Sequence, residues 1–204
     1  MSEECILVIN TGSSSLKFGL YAEQSGDEQV LLDGLADGIG QSSGTLEVKD
    51  AVGKKLRSEN VSFASRHDAL SHAARWLDEL SPGKPYAIGH RVVNGGPRLV
   101  KHQRITPALL AELQACVHFA PLHIPMAIQL ISEAEQSYPD VPQFACFDTA
   151  FHPAALFLGS LPGLFRGFPD VYWRKRHPAT GAQQTFFPEN DWPYRIRAVI
   201  RFPC

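Results

Sequence analysis

The chain opens on a continuous apolar run, Cys5-Ile6-Leu7-Val8-Ile9, the pattern of a strand buried on both faces. The cluster Asn10-Thr11-Gly12-Ser13-Ser14-Ser15 that follows is turn chemistry. Leu16 to Tyr21 then alternates and predicts a second strand, a hairpin partner for the first. Residues 29–35 and 44–49 read as further strands between Gly-rich turns. From His67 to Leu80 the apolar positions are Leu70, Ala73, Ala74, Leu77 and Leu80, a helical period that Ser81-Pro82-Gly83 stops. Tyr86 to Val93 predicts a short buried strand running into Asn94-Gly95-Gly96-Pro97. Thr106-Pro107 starts a helix carrying Leu109, Leu110, Leu113 and Val117, with Thr as cap and Pro in the first turn. Pro125 starts another, with Ile128, Leu130 and Ile131, ending near Tyr138-Pro139. Gln143 to Phe147 is a last apolar strand, and it ends at Asp148. Strands first, then alternating helix and strand, predict an α/β domain with a mixed sheet.

Composition changes this picture at one place. Residues 1–152 carry 12 basic and 18 acidic side chains, whereas residues 153–204 carry 7 basic and 3 acidic. The same last quarter holds 10 of the 20 aromatics and 7 of the 15 prolines, too many breaks for an ordinary helix. The expected division is a folded lobe over 1–152 and an irregular Pro- and aromatic-rich tail over 153–204. The whole chain is near neutral, 19 Lys and Arg against 21 Asp and Glu, which gives no electrostatic case for binding nucleic acid. No apolar run approaches the ~20 residues of a membrane span, and Met1-Ser2-Glu3-Glu4 is acidic where a signal peptide is basic. The default compartment is the cytoplasm. Cys5, Cys116, Cys146 and Cys204 stand apart with no C-x-x-C pair, as expected of reduced structural thiols.

Three segments could carry chemistry. Asn10-x-Gly12-Ser13-Ser14-Ser15-x-Lys17 offers backbone N–H groups and hydroxyls to phosphate oxygens, Lys17 a point charge, and Asn10 a hold on a water of Mg²⁺. It is not the P-loop pattern, and a hairpin turn with solvent-facing serines would look the same. In Gly89-His90-Arg91-Val92-Val93-Asn94-Gly95-Gly96, Arg91 suits a carboxylate or phosphate by its forked geometry; the alternative is a structural ion pair. In Phe147-Asp148-Thr149-Ala150-Phe151-His152, a carboxylate ends an apolar strand, where open α/β sheets place working residues. Asp148 could act as base or position a nucleophile, with His152 assisting, or could simply cap a following helix. His123, in a helix-to-helix turn, reads as a structural hydrogen-bonder.

In this order the segments ILVINTGSSSLKFGLY, GHRVVNGG, APLHIP and FACFDTAFH resemble the acetate kinase family, in the acetokinase branch of the group that contains sugar kinases, actin and the related chaperone ATPases. The resemblance covers residues 5–152. It implies one lobe of the actin-like, sugar-kinase (ribonuclease H-like) ATPase fold, a mixed sheet with flanking helices. It implies Mg²⁺-dependent phosphoryl transfer between ATP and acetate, giving acetyl phosphate and ADP, in a cleft between two lobes of a typically homodimeric enzyme. Residue by residue, Asn10 matches the residue associated with the metal. Lys17, with Gly12, Ser13 and Ser15 of the same motif, matches the nucleotide-phosphate element. Arg91 matches the arginine for the acyl carboxyl or its phosphate, Val93 and Leu122 the pocket for the methyl group, and Asp148 the acidic active-site residue.

The departures from the family are informative too. Asn94 stands where the family usually has His, and Ile124 where it has Asn. After Pro153 the family's GFHGTSH motif and its second lobe, with the adenosine site, a second arginine and a metal-associated glutamate, do not follow. A shifted frame or truncation is the simplest account, a short irregular extension evolved for another role is the alternative, and the expectation is a chain inactive alone. The open alternatives are a non-catalytic anion-binding remnant and a kinase for propionate or butyrate.

Overall fold

The computed structural model describes residues 5–24, 27–81 and 83–151. The tail after residue 152, the expectation that it is irregular, and His152 lie outside the described residues.

Eight strands form one sheet in the order β5-β4-β3-β2-β1-β6-β8-β7. Their ranges are β1 Cys5–Thr11, β2 Ser15–Gln24, β3 Asp27–Asp37, β4 Thr45–Asp50, β5 Lys55–Asn60, β6 Pro85–Val92, β7 Gln103–Arg104 and β8 Gln143–Phe147. The first five form an antiparallel meander. β6 then returns parallel to β1, and β8 parallel to β6. The parallel strands need crossovers, and helices provide them: α1 (Arg66–Leu80) between β5 and β6, then α2 (Pro107–Ala115) and α3 (Ile124–Ser137) between β6 and β8. A short helix, α4 (Asp148–Phe151), follows β8 directly. The mixed sheet with flanking helices agrees with the fold the sequence predicts.

Local chemistry accounts for the helix starts. The Ser65 hydroxyl accepts the Asp68 N–H at 3.2 Å, and the Asp68 carboxylate reaches back to the Ala64 N–H at 3.2 Å, so the first turn of α1 is capped from both directions. Thr106 caps α2 in the same way through the Leu109 N–H, with Pro107 in the first turn.

The core follows from alternation along the strands. Leu7, Ile9, Phe18, Leu20, Leu32, Val48 and Ile88 turn to one face, where Leu70, Ala73, Trp76 and Leu77 of α1 and Leu130 and Ala134 of α3 cover them. A second cluster lies under α2 and α3 and holds Val92, Ala145 and Phe147 from the strand ends. The opposite face of the sheet receives Asn10, Lys17 and Arg91 by the same alternation. Close packing shows at Gly34, where a Cβ would stand 2.2 Å from the Phe18 ring.

Two strands carry no apolar signal. Every residue of β5 is exposed, and β7 is two residues long. β5 is an edge strand built of Lys55, Arg57 and Glu59, charges that discourage pairing with another chain. Arg57 ties it to α1: its guanidinium lies 4.4 Å from the centre of the Trp76 ring and pairs with Glu79.

Trp76 is fully buried at the centre of the larger cluster. Trp76→Ala is expected to cost about 3–5 kcal/mol in urea unfolding, whereas Leu122→Ala, at a side chain 75% exposed, should stay within about 0.5 kcal/mol. Equal losses would contradict this placing of the core.

Candidate functional site

Parallel pairing brings the carboxyl ends of β1, β6 and β8 to one edge of the sheet. Ile9 lies beside His90, Arg91 beside Cys146 and Val92 beside Phe147. Asn10 and Arg91 are therefore the next-to-last residues of adjacent strands, and Asp148 follows directly after the end of β8. The three side chains meet. Arg91 Nε donates to Asp148 Oδ1 at 2.9 Å and Oδ2 at 3.2 Å, Nη2 donates to Oδ2 at 2.8 Å, and Nη1 faces Asn10 Oδ1 at 3.4 Å. Each member of the ion pair is about a quarter exposed, 26% for Arg91 and 23% for Asp148. The forked contact fixes the plane of the guanidinium as a single ammonium could not be fixed.

Lys17 lies directly opposite Asn10 in the antiparallel β1–β2 pair, so the two share a face. Next to it is an acid that sequence reasoning missed. Asp33 on β3 has its carboxyl pushed up by burial, against the opposing charges of Lys49 and Lys17. Its signal was present only in the pairing, where Asp33 stands opposite Gly19, two residues on from Lys17 along β2.

Between β1 and β2 runs the turn with Gly12, Ser13 and Ser15. Its carbonyls are occupied. Ser15 O accepts the Gly12 N–H at 2.8 Å and Ser14 O the Ile39 N–H at 2.9 Å. Gly12 O accepts from Arg66 Nη2 at 3.1 Å, and the same nitrogen donates to Ser13 O. Arg66 Nε reaches the Thr11 hydroxyl at 3.2 Å. A Cβ on Gly12 would come 2.7 Å from Ser15 Oγ, so glycine permits this close turn.

Val93, half-buried, follows β6, and Leu122 stands exposed in the turn before α3. Neither belongs to the apolar clusters among the described residues. Asn94 Oδ1 accepts the Gly96 N–H at 2.7 Å and shapes the turn, and Gly96 has φ +67°. His123 is exposed and makes no side-chain capping bond to α3.

Two further histidines flank the site. His102 Nδ1 accepts the Phe147 N–H at 3.1 Å, just before Asp148. Burial holds its imidazole below the ordinary value, and the Asp148 charge pulls it back up. His90, next to Arg91, points to the helix face and is 2% exposed. Gln143 Nε2 donates to Glu135 Oε2 at 2.6 Å, leaving Gln143 Oε1 toward His90 Nε2 at 2.6 Å. This arrangement assigns the His90 proton to Nε2.

The donor set bears on a metal. No group of three His, Cys, Asp or Glu side chains that could hold an ion occurs among the described residues. Asn10 and Asp148 supply one amide oxygen and one carboxylate on the same edge. Those hard oxygens fit Mg²⁺ held mainly by water and phosphate, its usual mode, and not a closed protein cage.

A mixed sheet with helical crossovers, whose charged groups collect at the carboxyl ends of its parallel strands, defines one lobe of an actin-like, sugar-kinase ATPase fold. The family is explicit in comparisons with known proteins. A model of the acetokinase family matches residues 5–163, and the chain belongs to that family. An acetate kinase of Borrelia duttonii is 37% identical over 189 residues, covering 86% of this chain and 44% of the relative. One from Deinococcus radiodurans is 41% identical over 147 residues, 72% of this chain and 36% of the relative. Among solved structures, a propionate kinase from Francisella tularensis superposes with a TM-score of 0.66 at 37% identity, over 73% of this chain and 38% of that one. The acetate kinase of Porphyromonas gingivalis gives 0.65 at 30% identity, over 72% and 38%. The chain thus spans less than half the length of these relatives. The family match passes residue 152, where the recognisable motifs end, and reaches residue 163.

The burial of His90 has a consequence for stability. Desolvation pushes its imidazole down to about 4, against a smaller upward pull from the bond to Gln143. The unfolded chain binds the proton near 6.5, so between about 6.5 and 4 the unfolded state holds more protons and stability falls as pH falls. The expected loss from this group between pH 7 and 4.5 is about 2 kcal/mol. Urea midpoints of the wild type and His90→Gln at the two pH values check it; an equal loss in both would rule His90 out as the cause.

Proposed function

We propose that this lobe carries the acyl and phosphate subsites of an acetate kinase, which transfers a phosphoryl group between ATP and acetate. The observation that supports this reading best is the forked Arg91–Asp148 pair with Asn10 beside it, on the sheet edge that also bears the Gly-Ser turn and Lys17.

In the proposed reaction a carboxylate oxygen of acetate attacks the γ-phosphorus of ATP. The new P–O bond forms as the bond to the ADP oxygen breaks. A carboxylic acid of ordinary pKa is already ionised at neutral pH, so the nucleophile has no proton to lose and the site needs no general base. Asp148 then serves by holding the Arg91 guanidinium in one plane. Arg91 offsets negative charge where the carboxylate and the transferred phosphoryl approach each other, the main requirement of this chemistry. Lys17 and the amides and hydroxyls of the turn hold the nucleotide phosphates. Mg²⁺, near Asn10, would neutralise phosphate charge when bound. Val93 and Leu122 would line the methyl group.

Acyl length stays open in this reading. A structural relative is a propionate kinase, and Leu122 is 75% exposed, so the pocket has one wall here. No helix among the described residues is long and apolar enough to cross a membrane.

Positioning reactants accounts for roughly 7–11 kcal/mol of a barrier. The relatives are more than twice the length of the matched region, and one wall of a cleft cannot align two substrates. A polypeptide of these 204 residues alone is expected to bind acetyl phosphate but not to turn it over with ADP. The check pairs calorimetry with a coupled assay on protein freed of host acetate kinase. Arg91→Ala should abolish acetyl phosphate binding. Turnover near the median enzyme's ~10 s⁻¹, lost in Asp148→Ala, would overturn the expectation of inactivity; unchanged binding by Arg91→Ala would overturn the site.

A further inference from the structure

Arg66 is the first residue of α1. A cation there sits at the positive end of the helix dipole, where it opposes helix stability. Ser65 and Asp68 already cap the helix, so Arg66 is not needed for that purpose. Its guanidinium instead leaves α1 and crosses to the turn after β1. There it binds the Thr11 hydroxyl at 3.2 Å, the Gly12 carbonyl at 3.1 Å and the Ser13 carbonyl.

The consequence lies in the orientation of the turn. With Ser14 O bound by the Ile39 N–H and Ser15 O by the Gly12 N–H, all four carbonyls from Gly12 to Ser15 face donors of the protein itself. Carbonyls would repel an anion, and Arg66 removes two of them from any ligand. The N–H groups of Ser13 and Ser14 have no backbone partner among the described residues. Consecutive N–H groups without a backbone acceptor, beside carbonyls already bound by donors of the protein, can form a cradle for a phosphate oxygen.

We propose that Arg66 is the positioning residue of this cradle, setting the Gly12–Ser15 turn for the polyphosphate tail of a nucleotide and adding its own positive charge behind the turn. The proposal rests on the phosphate-binding reading of the turn and Lys17. It requires the planar fork of arginine, because one guanidinium spans three acceptors that a lysine ammonium on its flexible stem would not hold together.

The test is a titration of the 204-residue chain with sodium tripolyphosphate, followed by the amide NMR signals of Ser13, Ser14 and Lys17. In the wild type these signals shift on binding. Arg66→Lys keeps the charge but loses the fork; it is expected to weaken tripolyphosphate about tenfold, the scale of one charge-assisted hydrogen bond. It should leave the thermal midpoint and acetyl phosphate binding at Arg91 unchanged. Wild-type affinity in Arg66→Lys would overturn the proposal. So would parallel weakening of both ligands with a lowered midpoint, which marks a general support of the fold. Failure of the underlying reading has a different signature: tripolyphosphate leaves the turn signals of the wild type unmoved, and that outcome overturns both.

Discussion

The register of β8 against β6 is the constraint on which the site depends. Arg91 pairs with Cys146, so Asp148, two residues on, returns to the face that Arg91 occupies. A slip of one residue would turn Asp148 toward the cluster of Val92, Ala145 and Phe147. That would bury a carboxylate without a partner and expose a phenylalanine in exchange. The apolar pattern of β8, buried at all five positions, does not choose between the two registers by itself. The Arg91–Asp148 pair discriminates, because it satisfies both charges in one alignment only. Its worth to net stability is modest at a quarter exposure; its effect on which alignment forms is larger.

The same alternation places incompatible chemistry on neighbouring residues of β6. His90 faces the helices, desolvated and neutral, and its Nε2–H donates to Gln143 Oε1, whose own amide nitrogen donates to Glu135. Arg91 faces the opposite way and keeps its charge in a carboxylate fork. One residue of strand separates an imidazole that burial keeps uncharged from a guanidinium that can bind anions. The helices behind the sheet thereby fix the strand whose outward side chain the site uses.

Most of this was legible in the sequence where apolar periodicity was strong. Cys5–Ile9, the helix of Leu70, Ala73 and Leu77, Tyr86–Val93 and Gln143–Phe147 announce their elements, and the ends of the three strands mark Asn10, Arg91 and Asp148. β5 was not legible, because an edge strand with every side chain in solvent has no period-2 apolar signal. Of the readings left open at Arg91, the structural ion pair is present, with Asp148 as its partner, and Asp148 is the first residue of α4. Arg66, Asp33 and His102 escaped notice for another reason. Each acts on a residue distant in sequence, across 53 to 55 positions for Arg66 and 45 for His102, and no local pattern encodes such a meeting.

The two halves of the proposed site differ in how ready they are for an anion. At the turn, the carbonyls are already withdrawn by Arg66, Ile39 and Gly12, so a phosphate would meet donors with little rearrangement. Such preorganisation lowers the ordering cost that binding otherwise incurs. At Arg91 the guanidinium is held by a carboxylate, and an incoming acetate or acetyl phosphate must share it with Asp148. Like charges disfavour that sharing, which selects for a ligand whose own charge is offset from another side. On the proposed reading Lys17 is close enough to help, since Asn10, its cross-strand neighbour, touches Arg91. Binding at the acyl side then strengthens when the phosphate side carries its cations, and the order of the two subsites along one sheet edge becomes part of the chemistry.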